Sequence, residues 1–137
     1  MHKIVLDTNI LVSAIGWKGA PRKVLDLCID NKLEIIISKE LLDEFINVIY
    51  RPKFDFIQED TKINIIRYLL TLSDYVEPKI KLNIIKEDKK DNKFLECALE
   101  GNAKFIISGD SHLLKLKEFE GIKILNASKF LKEYFSK

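Results

Sequence analysis

The chain has 137 residues, 47% hydrophobic and 32% charged, with 5 Gly and 3 Pro, a composition that fits one folded domain over residues 1–137 and gives no reason for a large disordered segment. Its 23 basic and 21 acidic side chains leave a formal charge of +2, so any nucleic-acid affinity has to come from local patches and not from a histone-like global field. Cys28 and Cys97 form no C-x-x-C pair, which excludes a zinc ribbon or dithiol redox motif and fits a reducing compartment.

The first residues turn acidic at Asp7 after three apolar positions, too few for a signal-peptide core, and no apolar run nears the ~18 residues of a membrane span. A soluble, cytoplasmic protein with no membrane partner is expected. Residues 3–6 read as a first strand, followed by helices at 8–15 and 20–30, the second with Pro21 in its opening turn. A strand at 33–37 leads through Ser38, a plausible N-cap, into a helix at 39–50 that Pro52 stops. A helix at 59–72 and a short fifth strand at 74–77 come next, and residues 79–90 resist assignment. A helix at 89–100 ends where Gly101 fits a C-cap. A strand at 104–107, a helix at 111–116, a strand at 122–125 and a helix at 128–135 complete the chain. The strands are continuous Ile- and Val-rich runs rather than alternating ones, the mark of a parallel sheet covered on both faces. The class is therefore α/β, with a parallel sheet of four to five strands.

In an open parallel sheet, reactive groups gather beyond the carboxyl ends of the strands. The first strand delivers Asp7 there, and the second runs into a helix carrying Glu40, Asp43 and Glu44. The strand at 105–107 delivers Ser108-Gly109-Asp110. The helix opening at Asp88-Lys89-Lys90-Asp91 starts at the same edge, because the strand after it runs parallel. Each acid also has a purely structural use: Asp7 as a helix cap, Asp110 as a turn residue, Asp88 and Asp91 at a favourable helix start, Glu40 and Glu44 on a solvated face. Their convergence is what argues for a cation, since clustered carboxylates repel and a divalent ion offsets the repulsion. An all-oxygen set favours Mg²⁺ or Mn²⁺ over zinc. Such an ion keeps open water positions, the arrangement used to hydrolyse phosphodiesters. The buried stripe Leu41, Leu42, Phe45, Val48 and Ile49 places Glu44 at the core edge, and Glu40, one turn earlier, is a reserve ligand.

The set Asp7-Thr8-Asn9, Ser38 with Glu44, Asp88-x-x-Asp91-Asn92-Lys93-Phe94-Leu95 and Ser108-Gly109-Asp110-Ser111-His112-Leu113-Leu114 resembles the PIN domain, in the subgroup of VapC-like toxin components of toxin–antitoxin systems. The resemblance runs from about Lys3 to Leu131. It implies a three-layer α/β/α sandwich and a Mg²⁺- or Mn²⁺-dependent endoribonuclease in which Asp7, Glu44, Asp91 and Asp110 are the catalytic and metal-holding acids. Thr8, Asn9 and Ser108 would orient those carboxylates by hydrogen bonds. It also implies RNA as substrate and a cognate antitoxin protein as partner. Two departures stand out: Ser108 replaces a threonine common in the family, and His112 stands where relatives often carry a further acid. The reading leaves His112 as an exposed early-helix residue, a phosphate contact or a proton donor, and not as a metal ligand.

An acidic pocket repels a polyanion, so basic side chains are needed on its rim. Lys89, Lys90 and Lys93 flank Asp91, and Lys18, Arg22, Lys23, Arg51 and Lys53 are further candidates. Trp17, placed near the same edge, has two readings: stacking on a base or filling a partner interface. Phe45, Ile46, Ile49, Tyr50, Phe54 and Phe56 exceed what one helix face needs, which points to a homodimer or higher homo-oligomer, or to a groove for a partner peptide. A receiver domain would want adjacent acids after strand one, a haloacid-dehalogenase-like phosphatase an Asp at position 9, and a nucleotide hydrolase a P-loop, and none is present. The alternative from another class is a non-catalytic RNA- or protein-binding module built on the same pocket.

Overall fold

Residues 1–135 are described by a computed structural model of the chain. Six strands form one sheet in the order β3-β2-β1-β4-β6-β5: β1 His2–Leu6, β2 Leu33–Ser38, β3 Asp74–Val76, β4 Phe105–Ile107, β5 Glu118–Phe119 and β6 Ile122–Leu125. All neighbours pair in parallel except β5 with β6. The register sets Ile4 opposite both Ile35 and Phe105, and Leu6 opposite Ile107. Ile4, Val5, Leu6, Ile35, Ile36, Ile37, Ile106 and Ile107 are buried on successive positions, so both faces of the central strands are covered. This is why their sequence is an unbroken apolar run.

Among the described residues seven helices flank the sheet in a three-layer α/β/α arrangement: α1 Thr8–Gly16, α2 Ala20–Ile29, α3 Lys39–Ile49, α4 Glu59–Leu72, α5 Asn92–Glu100, α6 Ser111–Leu114 and α7 Ala127–Tyr134. Pro21 stands in the first turn of α2, and Ser38 caps α3 by accepting from the Leu41 amide at 3.3 Å. Pro52 opens a 3-10 turn over Pro52–Phe54, and α3 has already ended at Ile49. The helix expected at 89–100 starts instead with a 3-10 turn, Lys89–Asp91, before α5. Gly101 does follow α5, but at φ −89° it is not a left-handed cap; Asn102 takes that conformation at φ 55°. A Cβ at position 101 would collide with the Ile36 side chain, so this glycine is there for the close approach of α5 to β2.

The unassigned stretch before α5 has no regular structure between Val76 and Lys89, and side chains of α5 bond part of its backbone. Glu100 Oε1 accepts from the Lys79 amide (3.2 Å) and Glu96 Oε2 from Leu82 (2.8 Å). Asn92 Oδ1 accepts from Ile84 and Ile85 (3.0 and 2.9 Å), while its Nδ2 donates back to the Ile85 carbonyl. Asn92, Glu96 and Glu100 recur at four-residue spacing on one face of the helix. Of the aromatic and aliphatic surplus around α3, Phe45, Ile49 and Phe54 belong to the core, and Tyr50 and Phe56 are exposed. No described helix is long and apolar enough to cross a membrane.

The strand order places the functional region. From β1 the chain winds outward to β2 and β3, then returns to the other side of β1 with β4. The C-terminal ends of β1 and β4 therefore border the switch point of the sheet, where a crevice forms.

Candidate active site

Asp7 and Asp110 leave the sheet at that crevice. Asp7 caps α1, its Oδ1 accepting from the Ile10 amide at 2.8 Å. Its Oδ2 accepts from the hydroxyl of Ser108, which is wholly buried. The same Ser108 Oγ accepts from the Asp110 amide at 2.9 Å, so one hydroxyl ties the two strand ends together. Asp110 caps α6, Oδ1 accepting from the His112 amide at 2.7 Å. The structural and chemical readings of these acids thus coexist: capping uses one oxygen and fixes where the carboxylate points. Burial raises the Asp7 carboxyl above the usual 3.8, against the lowering effect of Ser108 and the Ile10 amide.

Asp91 ends the 3-10 turn and is buried, and its Oδ2 has no hydrogen-bond partner. Burial, then Asp110 and Asp88 beside it, push its carboxyl from 3.8 up to about 7, with Lys93 opposing. Asp88 Oδ1 accepts from the Lys90 amide at 3.2 Å. Donor atoms of Asp88, Asp91, Asp110 and His112 all lie within 4.8 Å of one another. The His112 Nδ1 stands 3.6 Å from Asp110 Oδ1.

Glu44 reaches the pocket from α3 with both oxygens occupied. Thr8 Oγ1 donates to Oε2, and Lys93 Nζ lies 2.5 Å from Oε1. Lys93 is itself buried and also donates to the Lys90 carbonyl at 2.9 Å. It is an internal counter-ion of Glu44. Asp7, Thr8, Asn9, Glu44, Val48, Asp91, Phe94 and Asp110 together line a pocket of about 90 Å³. It adjoins a larger cleft of about 430 Å³, which shares Glu44 and Val48 and is bordered by Arg51, Lys90 and Lys93 as well as Glu40 and Asp43.

Several expected positions differ. Asn9 lines the pocket but is exposed, and no hydrogen bond ties its side chain to an acid among the described residues. Glu40 is exposed and lies 3.9 Å from Lys81, outside the acidic pocket. Arg22 donates from Nε to the Ala14 carbonyl (3.0 Å) and from Nη2 to that of Ile15 (3.3 Å), which ties its guanidinium to the C-terminal turn of α1. Trp17 follows the far end of α1, about 13 Å of helix beyond Thr8, and packs against Phe56 and Phe54 with ring centroids 5.3 and 6.5 Å away. It is not at the edge that holds the acids. Lys89 and Lys90 are exposed beside Asp91 as expected. Asp88 and His112, outside the ligand set expected from the sequence, bring donor atoms within 4.8 Å of those of Asp91 and Asp110; the signal is the spacing Asp88-x-x-Asp91 and the nearness of His112 to Asp110.

The pocket suits a divalent cation. A buried, unpartnered carboxylate oxygen beside other acids is costly unless protonated or neutralised, and oxygen donors suit a hard ion.

No curated protein matches the chain at a significant level. Among solved structures, the VapBC2 complex of Rickettsia felis bound to a DNA fragment from its promoter contains a chain with the same fold. The two share 20% identity at a TM-score of 0.60, covering 90% of this chain and 98% of that one. The family model described as "PIN domain" matches residues 3–112, a span that takes in Asp7, Glu44, Asp91 and Asp110, and on this match the chain belongs to the PIN domain family.

Proposed function

We propose that the protein is a Mg²⁺- or Mn²⁺-dependent endoribonuclease that hydrolyses phosphodiester bonds of single-stranded RNA, acting as the toxin of a toxin–antitoxin pair. The observation that carries this reading is the gathering of Asp7, Glu44, Asp91 and Asp110 around one small pocket, with Asp91 Oδ2 buried and unpartnered. Asp91 and Asp110, with Asp7 beside them, would hold the cation. A divalent ion in such a site supplies charge neutralisation for the phosphoryl oxygens and lowers the pKa of the attacking water.

The chain's own groups do the positioning. Ser108 fixes the Asp7 carboxylate and the Asp110 backbone with one hydroxyl, so the two acids cannot drift apart as substrate enters. Glu44, held by Thr8 and Lys93, orients a water for in-line attack through a remaining lone pair. Arg51 and Lys90, along the adjoining cleft, offset the repulsion between the acids and an RNA backbone.

The toxin assignment rests on the motif resemblance and on the fold shared with the VapBC2 chain. A cognate antitoxin, a homodimer and a cytoplasmic setting belong to the same proposal. The test is cleavage of a labelled single-stranded RNA by the pure protein with Mg²⁺, with Mn²⁺, with EDTA, and with Asp7→Asn in parallel. Metal-dependent cleavage lost in the variant supports the reading; RNA or protein binding without cleavage would replace it with a binding module.

A further inference from the structure

His112, not expected as a metal ligand from the sequence, belongs with its imidazole to a group of four possible metal donors among the described residues. The donors of Asp88, Asp91, Asp110 and His112 lie within 4.8 Å of one another, whereas Glu44 is taken up by Lys93 and Thr8. Acids at a rim do not by themselves make a site. The independent observation is Asp91, only 7% exposed, with Oδ2 lacking any hydrogen-bond partner. A buried carboxylate oxygen left bare beside three other donors is a position prepared for a ligand.

We propose that Asp88, Asp91, Asp110 and His112 hold a single divalent ion, and that the His112 imidazole makes this site prefer Mn²⁺ to Mg²⁺. The proposal rests on the metal-dependent reading above and deepens it by naming the ligand set and the ion it favours. Mg²⁺ demands hard oxygens and binds nitrogen poorly, whereas first-row transition ions gain affinity from an imidazole in the order that begins with Mn²⁺. Three carboxylates retain the hard character of the site, and one nitrogen tips the choice.

The chain makes the test clean, because it has two histidines and the other cannot interfere. His2 opens β1, at the opposite end of the sheet from Asp7, with its ring packed 5.3 Å from Phe105 and 6.3 Å from Tyr134. A nitrogen found on a bound ion in untagged protein is therefore that of His112. His112 is partly exposed on a short helix, so His112→Gln is expected to fold, as circular dichroism would check.

The experiment is electron-spin-echo spectroscopy of untagged protein loaded with Mn²⁺ alone, with affinities taken from Mn²⁺ titrations and Mg²⁺ competition. The expected result is ¹⁴N modulation in the wild type that disappears in His112→Gln, with Mn²⁺ affinity reduced about tenfold and Mg²⁺ affinity changed by less than about twofold. His112→Asp should abolish the nitrogen signal and shift preference towards Mg²⁺. Bound Mn²⁺ that shows no nitrogen modulation, but is lost in Asp91→Asn, would overturn the role of His112 while leaving the acidic metal site standing. Modulation that persists in His112→Gln would overturn it as well. Failure to bind Mn²⁺ and Mg²⁺ at all would remove the metal-dependent reading together with the proposal.

Discussion

On the α3 side of the pocket the chain supplies its own cation: Lys93 lies 2.5 Å from Glu44 Oε1, and Thr8 donates to the other oxygen. On the side formed by the 3-10 turn and the β4 end, three carboxylates and an imidazole crowd together, and Asp91 Oδ2 has no partner. Both sides place negative charge in poorly solvated surroundings, and they meet the cost differently. Lys93 pairs directly with Glu44 on one side, whereas on the other it only opposes, from further away, the crowding that raises the Asp91 carboxyl, and Asp91 Oδ2 is left without a donor. The comparison teaches which acids of a cluster await a ligand: those whose oxygens the fold leaves without donors.

The largest effect should come from removing the unpartnered acid. Asp91→Asn is expected to lower metal-dependent RNA cleavage by about 100-fold or more, the scale of losing a group that stabilises charge in the transition state; cleavage at the wild-type rate would show that the two sides have been assigned the wrong way round. Lys93→Met comes next. It strips Glu44 of its counter-ion and should cost about 2 kcal/mol in urea denaturation, less than for a fully buried pair because Glu44 keeps some solvent. Adding Glu44→Gln to that variant should restore most of the loss, and strict additivity in the double-mutant cycle would refute the pairing.

The third prediction concerns pH. The Asp91 carboxyl is held at about 7 in the folded protein against an ordinary 3.8, so its stabilising contribution is complete below 3.8 and is lost as pH rises through 7. With EDTA present, Asp91→Asn should therefore be more stable than the wild type at pH 8 by about 1–2 kcal/mol, a figure reduced for solvent screening, and the gap should shrink towards pH 5. Mn²⁺ should close the gap from the other direction by stabilising only the wild type. The smallest effect belongs to Asn9→Ala. Its exposed side chain makes no bond to either side, so stability should change by less than about 0.5 kcal/mol and Mn²⁺ affinity should stay unchanged; weakened binding would restore Asn9 as a support for the acids.

Much of this arrangement could be read from residues because it depends on local rules. Buried parallel strands need continuous apolar runs, as in residues 35–37 of β2, and side chains just beyond such a strand land at the crevice, as Asp7 and Asp110 do. What escaped the reading depends on distant partners. Lys93 looks like a rim residue until α3 brings Glu44 to it. Arg22 reads as a free surface cation, whereas the carbonyls of Ala14 and Ile15 hold its guanidinium. Trp17 reads as a neighbour of the crevice, whereas the length of α1 carries it away. The two-residue strand β5 pairs antiparallel with β6, too short for any periodicity to reveal. His112 reads as an exposed early-helix residue, whereas its nearness to Asp88 is a matter of three dimensions.

The stretch between β3 and α5 takes its order from elsewhere. Asn92, Glu96 and Glu100 accept from its amides at positions 79, 82, 84 and 85, and every residue but proline carries such an amide. Much of the information that shapes this segment is therefore stored in the helix, with Ile85 the segment's own buried anchor. Most side chains there can be exchanged, as on a rope whose path is set by its pulleys, provided no proline falls at those four positions. Since α5 also begins directly after Asp91, substitutions in the three helix residues would reach the acids of the pocket, while most changes at positions 77–87 would not.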